Sequence, residues 1–131
     1  MLVAVTVLVV DDSKLARMLV ARTISAVQPD WTVVEARDAE SALDAFRQGS
    51  IDVAIIDYNM PGRNGLAFTW DIRQLSRDMP IALITANHQD EIVDYALEMN
   101  VVFIEKPPIK ETLTAFLLDA QLFLNKAPAT K

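Results

Sequence analysis

Two adjacent carboxylates, Asp11 and Asp12, close an apolar run that starts at Val5, and a third, Asp57, closes the run Val53 to Ile56. Thr85 follows Ile81 to Ile84, and Lys106 closely follows Val101 to Ile104. Carboxylates about 5 Å apart repel by roughly 3 kcal/mol at an effective dielectric near 20, so three gathered acids need compensation, and a divalent cation is the natural source. Oxygen ligands, the absence of cysteine and a single histidine, His88, favour Mg2+ over zinc or copper. Lys106 adds a mobile positive charge that can reach a carboxylate or a phosphoryl oxygen, and Thr85 adds a hydroxyl donor. Asp57 is the candidate nucleophile, because a carboxylate that attacks phosphorus forms an acyl phosphate without a general base. Mg2+, Lys106 and Thr85 would then stabilise charge on the equatorial oxygens, which is most of what phosphoryl transfer asks of a protein.

Those groups can meet only if the chain brings the ends of its apolar runs to one edge. Five such runs recur: Val5 to Val10, Thr32 to Glu35, Val53 to Ile56, Ile81 to Ile84 and Val101 to Ile104. Each reads as a strand, and most are continuously apolar, the pattern of parallel strands covered on both faces. Helical periodicity fills the intervals. Ala39, Ala42, Leu43 and Phe46 mark one amphipathic helix, and Ile109, Leu113, Phe116, Leu117, Ala120 and Leu124 mark a longer final one. Ser13 or Asp12, Asp38, Asn64 and Asp90 stand where helix caps are expected. The alternation predicts a parallel α/β sheet with right-handed crossovers and helices on both faces. In such a sheet ligands bind beyond the carboxyl ends of the strands, so four of the five strand ends deliver a polar group to one rim, while the second, ending at Glu35 and Ala36, lies outside the pocket.

Composition narrows the function classes. A length of 131 residues fits one domain, and 52% hydrophobic with 23% charged residues is ordinary for a compact fold. A formal net charge of −6 with no basic run disfavours direct nucleic-acid binding. No apolar stretch approaches the ~20 residues of a membrane span, so no membrane insertion is expected. The lack of cysteine agrees with a reducing compartment, and a cytoplasmic location is expected.

At these residues the chain resembles the receiver domain of two-component response regulators, the single-domain chemotaxis type in particular. The resemblance rests on VLVVDDS at 7–13, DYNMPGRNG at 57–65, LITA at 83–86 and FIEKPP at 103–108. It implies a flavodoxin-like, doubly wound sheet of five parallel strands in the order 2-1-3-4-5 with five helices on both faces. One receiver domain would span residues 1–126, with 127–131 a short flexible tail. Asp57 would be the phosphoacceptor; Asp11, Asp12, Asp57 and the backbone carbonyl of Asn59 the Mg2+ ligands; and Thr85 and Lys106 the phosphate-binding pair. Thr85 and Phe103 would form the switch, and a cis peptide would join Lys106 to Pro107. The phosphodonor would be a histidine kinase or phosphotransfer protein, and a downstream protein would dock on the face made by the fourth helix, fifth strand and fifth helix. Such a chain is a signalling switch that catalyses only its own phosphotransfer and autodephosphorylation. Met1 favours a true start, while an effector domain beyond Lys131 is left open.

Some positions depart from the commonest pattern. Asn100 and Val101 stand where Gly-Ala is frequent, and Asn can adopt the left-handed conformation that such a glycine supplies. Asn59 and Asn87 occupy positions whose side chains tune access of water to an acyl phosphate.

Each group has a plainer reading alone: Asp11 and Asp12 as a turn or cap, Asp57 as a strand terminator, Thr85 as a β-branched strand residue, Lys106 as a solvated charge, and Phe103 as simple core. Trp70 and Tyr95 suit core or interface alike. Two rival functions remain open. An aspartate-nucleophile phosphatase generally needs an acid two residues after the nucleophile, where this chain has Asn59, and a constitutive binding module would keep the fold and ignore phosphate.

Overall fold

The computed structural model describes residues 4–60, 64–86, 90–106, 108 and 110–126. Its elements alternate strictly: β1 (Thr6–Val10), α1 (Lys14–Val27), β2 (Thr32–Ala36), α2 (Ala39–Gln48), β3 (Val53–Asp57), α3 (Gly65–Leu75), β4 (Ile81–Thr85), α4 (Asp90–Glu98), β5 (Val102–Glu105) and α5 (Lys110–Lys126). All four strand pairings are parallel and the order is β2-β1-β3-β4-β5. This is the flavodoxin-like sheet expected from the sequence.

The two-residue period of a strand sorts the core into two layers. Val7, Val9, Val53, Ile55, Ala82, Ile84 and Ile104 join Val20 and Ile24 of α1 and Leu113, Phe116, Leu117 and Ala120 of α5. Their neighbours Leu8, Val10, Ala54, Ile56, Ile81 and Leu83 turn the other way, to Ala42 of α2, Phe68 and Ile72 of α3, and Ile92 and Ala96 of α4. The continuous apolar runs are therefore the central strands, and β3 and β4 are buried at every residue. The edge strands β2 and β5 are only partly covered. Burying a side chain such as Ile55 stabilises the fold by about 1.5–3 kcal/mol, so the strand ends project from a stiff frame.

Caps set where the helices start. Ser13, Asp38 and Asn64 accept hydrogen bonds from the backbone N–H groups of Ala16, Ser41 and Ala67, and Ser41 returns the favour to Asp38, completing a capping box. Asp90 lies within α4, and the three residues before it lie outside the described ones. An acid is favoured both as a cap and inside the first turn, where it meets the positive end of the helix dipole. At the other end of α4, Asn100 has φ 57°. The Val101 and Asn100 N–H groups donate to Ala96 and Leu97 carbonyls at 2.8 and 3.0 Å, a Schellman stop with asparagine in the glycine role. Asn87, His88, Pro107 with its expected cis peptide, Ile109 and the tail 127–131 lie outside the described residues.

Candidate functional site

The strand order reverses between β1 and β3, and the crevice beyond their carboxyl ends is where an open α/β sheet binds ligands. Asp11 is the first residue after β1 and Asp57 the last of β3. Asp11 is nearly buried, at 9% exposure, Asp12 is exposed and Asp57 is 2% exposed. One carboxylate oxygen from each of the three lies within 4.8 Å of the others.

Asp11 is gripped along its length. Its N–H donates to the Ala36 carbonyl at 3.0 Å, and its Oδ1 accepts from the Ser13 N–H at 2.9 Å. Burial pushes its carboxyl above the ordinary value of 3.8, reinforced by the charges of Asp57 and Asp12 and opposed by the Ser13 hydrogen bond and Lys106.

Lys106 follows β5, and its N–H donates to the Thr85 carbonyl at 2.9 Å. Its Nζ lies 2.7 Å from Asp57 Oδ1. This ion pair compensates a carboxylate oxygen that is buried from solvent. Thr85 ends β4 and is fully buried. It stands one residue beyond Ile84, which pairs with Asp57 in the sheet register. Phe103 lies in β5 opposite Leu83, half-buried against the second core layer. Asn59 is exposed and lines a shallow cavity of ≈330 Å³ with Asp12, Tyr58, Met60 and Asn64. A larger cavity of ≈1100 Å³ between α3 and α4, lined by Trp70, Tyr95 and Arg73 among others, includes none of the carboxylate cluster. The chemistry therefore points to the smaller one.

Three carboxylates and one ammonium leave a net charge of −2. At 4.8 Å each carboxylate pair repels by about 3 kcal/mol at an effective dielectric near 20. A charge deficit of that size and oxygen donors alone suit a hard divalent cation such as Mg2+. The donor set fits the ion expected from the sequence.

Two residues that shape this region, and a third that braces α3 away from it, carry no mark of their roles in the hydrophobic pattern. Gly65 opens α3 against the phosphoacceptor candidate: a Cβ there would meet the Asp57 carbonyl carbon and Tyr58 Cα at 2.8 Å, and the Asp57 carbonyl oxygen closer still. Its N–H donates to the Tyr58 carbonyl at 2.7 Å. The available signal was a glycine at a helix start, where it weakens the helix and so implies close approach. Arg17 donates from one terminal nitrogen to the Asp11 carbonyl at 2.6 Å and from Nε to Glu35 Oε1 at 2.9 Å. Arg73, buried in α3, bonds the carbonyls of Ser76, Met79, Met99 and Asn100 and so ties α3 to the turn after α4.

Comparison with known proteins places the chain. The family model of the response regulator receiver domain matches residues 7–118. A cyclic di-GMP phosphodiesterase response regulator, RpfG, of Xanthomonas campestris pv. campestris is 36% identical over 77% of this chain, and the match covers 28% of that protein. The sensor histidine kinase RcsC of Escherichia coli K12 is 33% identical over 84% of this chain and 12% of its own length. The chain thus spans less than a third of either relative. The chemotaxis response regulator CheY4 of Vibrio cholerae superposes with a TM-score of 0.78 at 29% identity, over 90% of this chain and 99% of that one.

Proposed function

We propose, because the chain belongs to the response regulator receiver domain family, that it is a phosphorylation-controlled switch in which Asp57 accepts a phosphoryl group from a phosphohistidine of a kinase or phosphotransfer protein. The observation that carries the reading is the buried Asp57 carboxylate, which belongs to a three-acid cluster and pairs with Lys106 at 2.7 Å. An isolated strand terminator needs neither partner.

In the transfer, an Asp57 carboxylate oxygen forms the bond to phosphorus as the phosphorus–nitrogen bond of the donor breaks. The electron pair stays on the imidazole, which takes up a proton from solvent. Mg2+, when bound by Asp11, Asp12, Asp57 and the Asn59 backbone carbonyl, supplies the positive charge that offsets the phosphoryl oxygens. Lys106 exchanges its carboxylate contact for one phosphoryl oxygen, and the Thr85 hydroxyl turns to another. Phosphorylation adds negative charge and strong acceptor oxygens. Movement of Thr85 and the loop after it then lets Phe103 turn inward and reshapes the face made by α4, β5 and α5, where a downstream protein docks. This is a two-state element biased by a local charge. The chain acts in this reading as a signalling switch and turns over no substrate other than its own phosphoryl group.

Intact-mass analysis after incubation with acetyl phosphate tests the reading, with and without Mg2+, on the wild type and Asp57→Asn. One phosphoryl group added to the wild type alone, and only with Mg2+, is the expected result. Full labelling of Asp57→Asn would overturn the assignment of the acceptor. No labelling of either chain would favour a phosphate-independent binding module.

A further inference from the structure

Arg17 is an unfavourable residue for its place. It sits in the first turns of α1, its own N–H bonded to the Ser13 carbonyl at 3.0 Å, and the first turn has no acid to offset it. The positive end of a helix dipole disfavours cations there. Its side chain is nevertheless held, at 15% exposure, by two partners from different parts of the chain: the Asp11 carbonyl at 2.6 Å and Glu35 Oε1 at 2.9 Å. Glu35 stands on the edge strand β2, outside the acidic pocket, and is itself 42% exposed.

The bonds around Asp11 indicate what this arrangement serves. The Asp11 N–H is fixed by Ala36, one carboxylate oxygen by the Ser13 N–H, and the carbonyl by Arg17. Its peptide is thus tied on both sides, and the second carboxylate oxygen is engaged by none of these bonds. A planar guanidinium can bind a carbonyl and a carboxylate at once from a fixed fork, which a lysine ammonium on a flexible stem does not reproduce.

We infer that Arg17 is a positioning residue for the cation site: oriented by Glu35, it locks the Asp11 main chain so that the Asp11 carboxylate meets the cation without rearrangement. The inference rests on the reading of the acidic cluster as a Mg2+ site. Its second contribution is to tie β2, the strand that supplies no ligand, into the geometry of the ligands on β1 and β3.

The sign of one substitution separates positioning from charge. Removing a cation close to the cluster makes the pocket more negative, so charge alone predicts that Arg17→Met binds Mg2+ more tightly and that Arg17→Lys is unchanged. Positioning predicts that both variants bind more weakly, by about 10-fold, the lower end of what loss of an outer partner of a metal ligand costs. Isothermal titration calorimetry of MgCl2 into the unphosphorylated full chain measures this at constant ionic strength, with far-UV circular dichroism confirming the fold and Arg17→Lys as the conservative second variant. Weaker binding in both folded variants is the expected result. Tighter or unchanged binding in folded Arg17→Met, or wild-type affinity in Arg17→Lys, overturns the inference and leaves the cation site intact. A wild-type chain that binds no Mg2+ overturns the reading of the site, and the inference with it.

Discussion

Replacing Gly65 with alanine sets two principles against each other at the residue that abuts Asp57. Helix propensity favours the change, since alanine in a helix is better than glycine by up to about 1 kcal/mol. Geometry opposes it. The added methyl would lie 2.8 Å from the Asp57 carbonyl carbon and from Tyr58 Cα, both backbone atoms that no rotamer change can move. Carbon atoms rest about 3.5–4.0 Å apart, so α3 and the end of β3 must separate by on the order of 1 Å. Overpacking of this kind costs about 1–3 kcal/mol. Stretching the 2.7 Å bond from the Gly65 N–H to the Tyr58 carbonyl adds about 1 kcal/mol. Set against the propensity gain, Gly65→Ala is expected to destabilise the chain by about 2 kcal/mol, read from urea denaturation midpoints at unchanged slope. The same displacement moves the acceptor relative to its partners, and a misplacement near 1 Å lowers rates by about 100-fold, so labelling by acetyl phosphate should slow by that order. A Gly65→Ala chain as stable as wild type that labels at the wild-type rate would refute the close-approach argument.

Two further outcomes follow from the charged groups. Asp11→Asn relieves repulsion among the three acids and should stabilise the metal-free chain at neutral pH by on the order of 1 kcal/mol after solvent screening, while removing the stabilisation that Mg2+ confers; thermal melts with and without MgCl2 read both. Because burial raises the Asp11 carboxyl above 3.8, its favourable contribution is complete below that value and is lost as pH rises through the raised one. The advantage of Asp11→Asn should therefore disappear at pH below 3.8, and an advantage that persists there would count against the assignment. Arg73→Met strips hydrogen bonds from four carbonyls and should cost about 3 kcal/mol or more; a midpoint shift worth less than about 0.5 kcal/mol would mean that water replaces the guanidinium at no penalty.

The strands and the rim they share were legible because the relevant signals lie in side-chain type, whereas the strand order came from the family resemblance. Val53 to Ile56 is apolar on both faces because β3 is central, and Asp57 announces itself as the first charge after that run. Asn100 could be read as a left-handed stop because asparagine tolerates that conformation better than other non-glycine residues.

Gly65, Arg17 and Arg73 escaped a pattern reading for a common physical reason: each acts on the main chain of a residue in another element. Gly65 makes room for the Asp57 carbonyl, Arg17 grips the Asp11 carbonyl, and Arg73 collects carbonyls from two turns. Every residue has a carbonyl, so a contact with one leaves no trace in the identity of the partner and no spacing to match. What such contacts do leave is a residue wrong for its local setting: a glycine opening a helix, a cation in a first turn, a charge inside a core layer. Local rules tend to be broken where a site demands it. Two of these broken rules, at Gly65 and Arg17, lie beside the carboxylates that the pattern reading had already gathered, and together the two kinds of signal describe both the reactive groups and the frame that aims them.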